Sequence, residues 1–125
     1  MERTRVFSEA VWDALRDPLV LLDAEFRIRR ATASFYRTFK TSLAQVDGKS
    51  LFEIDGGAWN LPRLRERLEK VLKSGEYHLG IDAPLLIPRL GPGSLGLRID
   101  ARKVHLEESG VPMILLVISE RQGKA

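Results

Sequence analysis

The stretch whose reading decides the fold is Pro18 to Thr32, PLVLLDAEFRIRRAT. Leu19-Val20-Leu21-Leu22 is apolar at successive positions, which suits a central strand covered on both faces rather than an edge. Asp23-Ala24-Glu25 supplies a tight turn, because an aspartate side chain can bond the backbone two residues on. Phe26-Arg27-Ile28-Arg29 alternates apolar with charged, and Arg30 continues the basic side, so this second strand is wet on one face and lies nearer an edge.

The flanking segments read as covers for that hairpin. On its amino-terminal side, Phe7 to Arg16 has the stripe Phe7, Val11, Ala14 and Leu15 of an amphipathic helix, with Ser8 near its start and Asp17-Pro18 as its stop. On the other side, Phe35, Tyr36 and Phe39 recur at helical spacing, with Thr32 placed to cap. Ser42 and Gln45 have the spacing of a capping box closed by Gly48, and Leu51 to Ile54 makes another brief apolar turn before Asp55-Gly56-Gly57. Leu61 to Ser74 is the clearest helix, with Leu61, Leu64, Leu68, Val71 and Leu72 on one face and charges on the other. Asn60 is its expected cap, Pro62 sits in its first turn and Gly75 follows its end.

The remainder reads as β. Tyr77 to Ile87 is a strand with an edge position or a bulge at Pro84. Leu95, Leu97, Ile99 and Ala101 alternate with Gly96, Arg98, Asp100 and Arg102, and Pro112 to Ser119 is apolar throughout and needs shelter on both faces. The short helices cover one face of the resulting sheet. The amino-terminal helix is expected over the outer face, to which the last strand would present Ile114, Leu116 and Ile118.

The 125 residues fit one domain, 1–125, with a core of about 14–119, an amino-terminal helix within 1–16 and a tail at 120–125. Val111 to Ile118 is too short to cross a bilayer, and Met1 to Arg5 opens without the apolar stretch of a signal peptide, so a cytoplasmic location without membrane insertion is expected. The absence of cysteine excludes disulfides, thiolate nucleophiles and cysteine-ligated metal. A net charge of +3 from 20 interleaved basic and 17 acidic residues gives no argument for nucleic acid as a partner.

Motif order resembles that of a PAS domain, the small sensory module of bacterial signalling proteins, from about Ala14 to Ser119. The likeness rests on PLVLLD, on I-x-x-A-T-x-x-F-Y-x-x-F from Ile28 to Phe39, and on Val46-Asp47-Gly48-Lys49-Ser50-Leu51. It continues through Trp59-Asn60-Leu61-Pro62-Arg63-Leu64, Asp100-Ala101-Arg102-Lys103 and Ile114 to Ile118. The resemblance is to PAS domains of sensor histidine kinases and of chemotaxis methyltransferase-like proteins. It implies an α+β fold with a five-stranded antiparallel sheet in the order 2-1-5-4-3 and short helices between strands two and three. Thr32 and Asp100 stand where the family usually has asparagine. The usual aspartate-x-threonine ending is replaced by Ser119 to Ala125, which implies either a fragment cut near a domain boundary or an altered output, with the tail disordered in isolation.

The function implied is a non-enzymatic module of two-component signalling that senses a small ligand or a partner, dimerises, and regulates an attached effector such as a histidine kinase. Ile28, Ile54, Leu64, Leu68, Val71, Leu97 and Ile99 are the expected lining of a ligand cleft between sheet and long helix, and they fit a filled core equally well. A purely structural dimerisation or protein-interaction domain without ligand is the alternative. Phe7, Val11, Trp12 and Leu15 are the expected homodimer contacts. Gly91 to Gly96 matches G-x-G-x-x-G, but a strand follows it where a phosphate site needs a helix, so it reads as a hairpin loop. His78 and His105 lie in no ligand motif, and no metal site is expected. No cofactor is expected: family haem sites draw a histidine from the long helix, which has none, and flavin adducts need a cysteine, although noncovalent flavin stays open. No catalytic residue is assigned, because the cleft is lined by leucine and isoleucine.

Overall fold

The computed structural model describes residues 16–91, 93, 95–105 and 110–120. The helix expected over Phe7 to Arg16, the dimer contacts Phe7, Val11, Trp12 and Leu15, and the tail beyond Glu120 lie outside the described residues, Arg16 excepted.

Two strands open the described chain, β1 (Leu19–Leu22) and β2 (Ile28–Ala31), followed by the helices α1 (Ala33–Phe39) and α2 (Leu43–Val46) and a 3-10 turn at Ile54–Gly57. The long helix α3 (Pro62–Ser74) leads into β3 (His78–Leu85), a second 3-10 turn at Pro88–Leu90, β4 (Leu95–His105) and β5 (Pro112–Glu120). The five strands form one antiparallel sheet in the order β2-β1-β5-β4-β3. β1 is buried at all four positions between β2 and β5, as its unbroken apolar run demands.

The β1–β2 turn forms as its sequence predicts. Asp23 Oδ1 accepts from the amides of Glu25 at 2.8 Å and Arg27 at 2.9 Å. The second strand begins later than its alternation suggests, at Ile28, because Phe26 adopts a left-handed backbone with φ of 64° and turns its ring onto Phe52, 5.4 Å between centroids. The outer side of β2 is closed by its own chain: the amide of Ile28 donates to Lys49 O at 2.8 Å, and that of Gly48 donates to Ile28 O at 2.9 Å.

Two expected helix caps are replaced by other arrangements. Ser42 makes no side-chain cap bond: the Gln45 amide donates to Ser42 O at 3.0 Å, and Gln45 Oε1 accepts from Thr41 Oγ1 at 3.0 Å, so both groups that a reciprocal box would use are engaged elsewhere. The N-cap position of α3 is held by Leu61 rather than Asn60, whose Oδ1 accepts from Arg65 Nη1 at 3.4 Å. The carboxyl end of α3 follows expectation, with Gly75 left-handed and its amide on Val71 O. Lys103 of β4 adds an ammonium at the same end, donating to Leu72 O at 2.8 Å.

β3 is an edge strand, which accommodates Pro84, but its register shift lies between His78 and Ile81 rather than at the proline. There Gly80 takes φ of +72° and its amide donates to Asp100 Oδ1 at 2.7 Å, so the aspartate at the usual asparagine position ties the bulge to β4.

The phase of β5 is opposite to the one expected. Ile114, Leu116 and Ile118 belong to the core beneath the helices, whereas Met113 joins Leu19 and Leu21 on the other face, with Val104, Leu115 and Val117 packed against them. A strand apolar on both faces carries no phase of its own. Its partner sets it: Ile99 pairs with Ile118 and Ala101 with Leu116, and directly opposed residues share a face. β5 also runs one residue beyond Ser119, taking in Glu120 from the expected tail.

Candidate functional site

The core between α3 and the sheet gathers all seven residues expected to line a cleft. Leu64, Leu68 and Val71 come from α3, Ile54 from the first 3-10 turn, Ile28 from β2, and Leu97 and Ile99 from β4, none more than 6% exposed. Their side chains are pure hydrocarbon, so this region can hold an apolar body by shape and dispersion but offers no group for proton transfer or ligation. Phe35, Phe39 and Trp59 close one side, with Trp59 edge-on to Phe39 at 5.3 Å between centroids.

Among the described residues, three surface clefts approach this core. One of about 490 Å³ lies between the start of α3 and the β3–β4 hairpin and is walled by Leu61, Ala83, Pro84 and Leu97. Another of about 390 Å³ lies where the first and last described segments meet, reaching Phe39, Leu97 and Ile118 beside Asp17 and Glu120. The third, of about 400 Å³, reaches Val46 and Ile54 through a polar rim. Of these seven core residues, Leu97 therefore touches two clefts and Ile54 the third.

The polar rim is organised by Arg89. Its Nη1 lies 2.7 Å from Asp55 Oδ1, its Nη2 donates to Phe39 O at 2.7 Å, and its Nε reaches Phe39 O and Lys40 O at 3.2 Å. Asp55 Oδ2 in turn accepts from Trp59 Nε1 at 2.9 Å. One guanidinium thus joins the second 3-10 turn, the carbonyl end of α1 and the turn that carries Ile54.

At the opposite end of α1, Thr32 makes a comparable joint. Its Oγ1 accepts from the amides of Leu19 at 3.0 Å and Phe35 at 3.3 Å and donates to Asp17 O at 3.0 Å. It is fully buried, so one hydroxyl starts β1, caps α1 and holds the segment leading into the domain.

No family model matches the sequence, and no curated protein does. Solved structures do match. The PAS domain of Bordetella pertussis BvgS superposes with a TM-score of 0.68 at 15% identity, covering 93% of this chain and 85% of that one. The chain has the PAS fold. A LOV protein from Rhodobacter sphaeroides matches with a TM-score of 0.72 at 19% identity, over 94% of this chain and 67% of that one. The photoactive yellow protein domain of the sensor histidine kinase Ppr from Rhodospirillum centenum matches with a TM-score of 0.62 at 16% identity, over 91% and 94%.

Within the PAS fold, sequence reasoning found these seven residues as buried core through their periodicity but missed Arg89 and Asp55. Arg89 stands in the short passage Ile87-Pro88-Arg89-Leu90, and the carbonyls it binds lie 49 and 50 positions away, so no local pattern marks it. Positive φ at Asp55 is the one local hint, since the Asp55-Gly56-Gly57 run tolerates left-handed backbone. The histidines do not converge on the cleft: His105 is exposed and His78 is half-buried at the start of β3. Among the described residues no group of three or more His, Cys, Asp or Glu could hold a metal ion, and no helix is long and apolar enough to cross a membrane.

Proposed function

We propose that this protein is a non-enzymatic, cytoplasmic sensory module that holds a small ligand between α3 and the sheet, dimerises through its amino-terminal segment, and regulates an attached effector such as a histidine kinase. The observation that carries this reading is the convergence of seven hydrocarbon side chains from four separate elements on one site, reached from the surface at Leu97 and Ile54. The PAS fold supports it, as does the fact that one structural neighbour is a domain of a sensor histidine kinase. Native mass spectrometry of gently purified protein tests it, because bound molecules and chain number are read together.

A route for the signal follows from strand pairing. β4 carries Leu97 and Ile99 into the site and is bonded to β5 from Leu97↔Glu120 to His105↔Pro112. A ligand that displaces β4 moves β5 with it, and the outer residues Met113, Leu115 and Val117 transmit the movement to whatever packs on that face. In this reading the cover is the segment bearing Phe7, Val11, Trp12 and Leu15, which also supplies the dimer contact.

A second reading is a structural dimerisation or protein-interaction domain without ligand. The near-complete burial of the seven lining residues favours it, since a core filled to native density leaves no room for a guest.

A further inference from the structure

The cleft of about 400 Å³ at the carboxyl end of α1 has a charge balance that the core-ligand reading does not use. Lys40, Lys49 and Arg89 supply three cations to its rim against two carboxylates, Glu53 and Asp55, so one positive charge is in excess. Asp55 is already engaged by Arg89 and by the Trp59 indole. Lys40 and Lys49 are exposed, and among the described residues neither is ion-paired. Arg89 retains capacity as well. A guanidinium has five N–H donors, and the contacts to Phe39, Lys40 and Asp55 engage one each on Nε, Nη1 and Nη2. The remaining donors on Nη1 and Nη2 belong to a side chain 38% exposed at the cleft.

The backbone of the rim points the same way. Lys40 and Asp55 both take left-handed conformations without being glycine, with φ of 52° and 55°. Such conformations persist where surrounding bonds hold them, and they gather at ligand clamps. Lys40 owes its conformation to its place as the left-handed C-cap of α1, with its amide on Tyr36 O, whereas Asp55 lies in a turn whose carboxylate Arg89 holds.

We infer that this cleft binds a compact oxyanion, the carboxylate or phosphate of a small metabolite, against Lys40, Lys49 and the free donors of Arg89. Two ammonium groups supply attraction and the planar guanidinium supplies direction. The site lies outside the hydrocarbon core of the proposed function and meets it only at Val46 and Ile54. An anion seated there acts on the same joint that closes the helical side of the core.

The test is a pair of amide-resolved NMR titrations of the full chain, with sodium succinate and with sodium phosphate, against sodium chloride at matched ionic strength. Saturable shifts confined to Lys40, Thr41, Gln45, Lys49 and Arg89 are expected with at least one of the two anions, and which one responds names the source. Lys40→Asn combined with Lys49→Gln, asparagine being tolerant of the left-handed backbone, should weaken binding about ten-fold. Glu53→Gln, which removes the opposing carboxylate, should tighten it about three-fold. Shifts equal to those from chloride, shifts spread over Arg63, Arg67 and Lys70, or undiminished affinity in the lysine variant would overturn the proposal. None of these outcomes depends on whether the core holds a ligand, which mass measurement of the purified protein decides separately.

Discussion

Arg89 Nη1 and Asp55 Oδ1 stand 2.7 Å apart, with the Asp55 side chain only 8% exposed and the Arg89 side chain 38%. The pair closes the helical side of the core from the far end of the sheet, and its worth comes from shared geometry as much as from charge. Arg89→Ala is expected to lower unfolding free energy by about 2 kcal/mol, because it strands a nearly buried carboxylate and uncaps the carbonyls of Phe39 and Lys40. Asp55→Asn keeps an acceptor for Trp59 and should cost about 1 kcal/mol. Urea denaturation of both single variants and the double should give a coupling of at least about 1 kcal/mol. Strict additivity would show that the pair is a surface ornament.

Thr32 provides a cleaner chemical test, since valine copies its shape without its hydroxyl. Thr32→Val leaves the Leu19 and Phe35 amides without their buried acceptor, and about 2 kcal/mol of destabilisation is expected. Thr32→Ser retains the oxygen and should cost less than about 1 kcal/mol. Equal losses in the two variants would mean that packing of the methyl group, rather than the three-way hydrogen bond, is what matters.

How far the sequence reveals this protein depends on whether a feature repeats along the chain. β1 and β4 were legible because burial on two faces or one leaves a continuous or alternating apolar record, and α3 because Leu64, Leu68 and Val71 mark one face between Pro62 and Gly75. β5 was legible as a strand but not in phase, since each of its faces is apolar and only pairing with Ile99 and Ala101 decides which is inward. The burial of the seven hydrocarbon residues in the core followed from the same periodicities. The polar joint did not: Asp55, Trp59 and Arg89 meet through a turn at positive φ in Asp55 and an ion pair between distant elements, Arg89 with Asp55, neither of which leaves a periodic trace.

The corrected phase of β5 has a direct consequence. Leu116→Ala, on the inner face, should destabilise by about 3 kcal/mol, whereas Val117→Ala on the half-buried outer face should cost about 1 kcal/mol. Thermal or chemical melts of the two neighbours decide it. A larger loss at Val117 would reverse the assignment of faces.

Output is expected to leave through that outer face. Fused in helical register to a histidine-kinase core, the protein carrying Leu115→Asp or Val117→Asp should stay folded yet change autophosphorylation several-fold, because a charge on the outer cluster loosens whatever packs there. Light scattering should show two chains in the parent and one in Val11→Glu with Trp12→Ala. Unchanged kinase activity and unchanged assembly in folded variants would remove the route.

Native mass spectrometry of protein purified without denaturation or prolonged dialysis tests most directly the claim that a small molecule is held between α3 and the sheet. The account predicts a mass above that of the polypeptide, by one small molecule per chain, which vanishes under denaturing spray and is absent from Leu68→Trp, where an indole fills the space at the centre of α3. A parent protein that flies at the bare polypeptide mass, identical under native and denaturing conditions, would contradict it and leave a structural domain with a filled core.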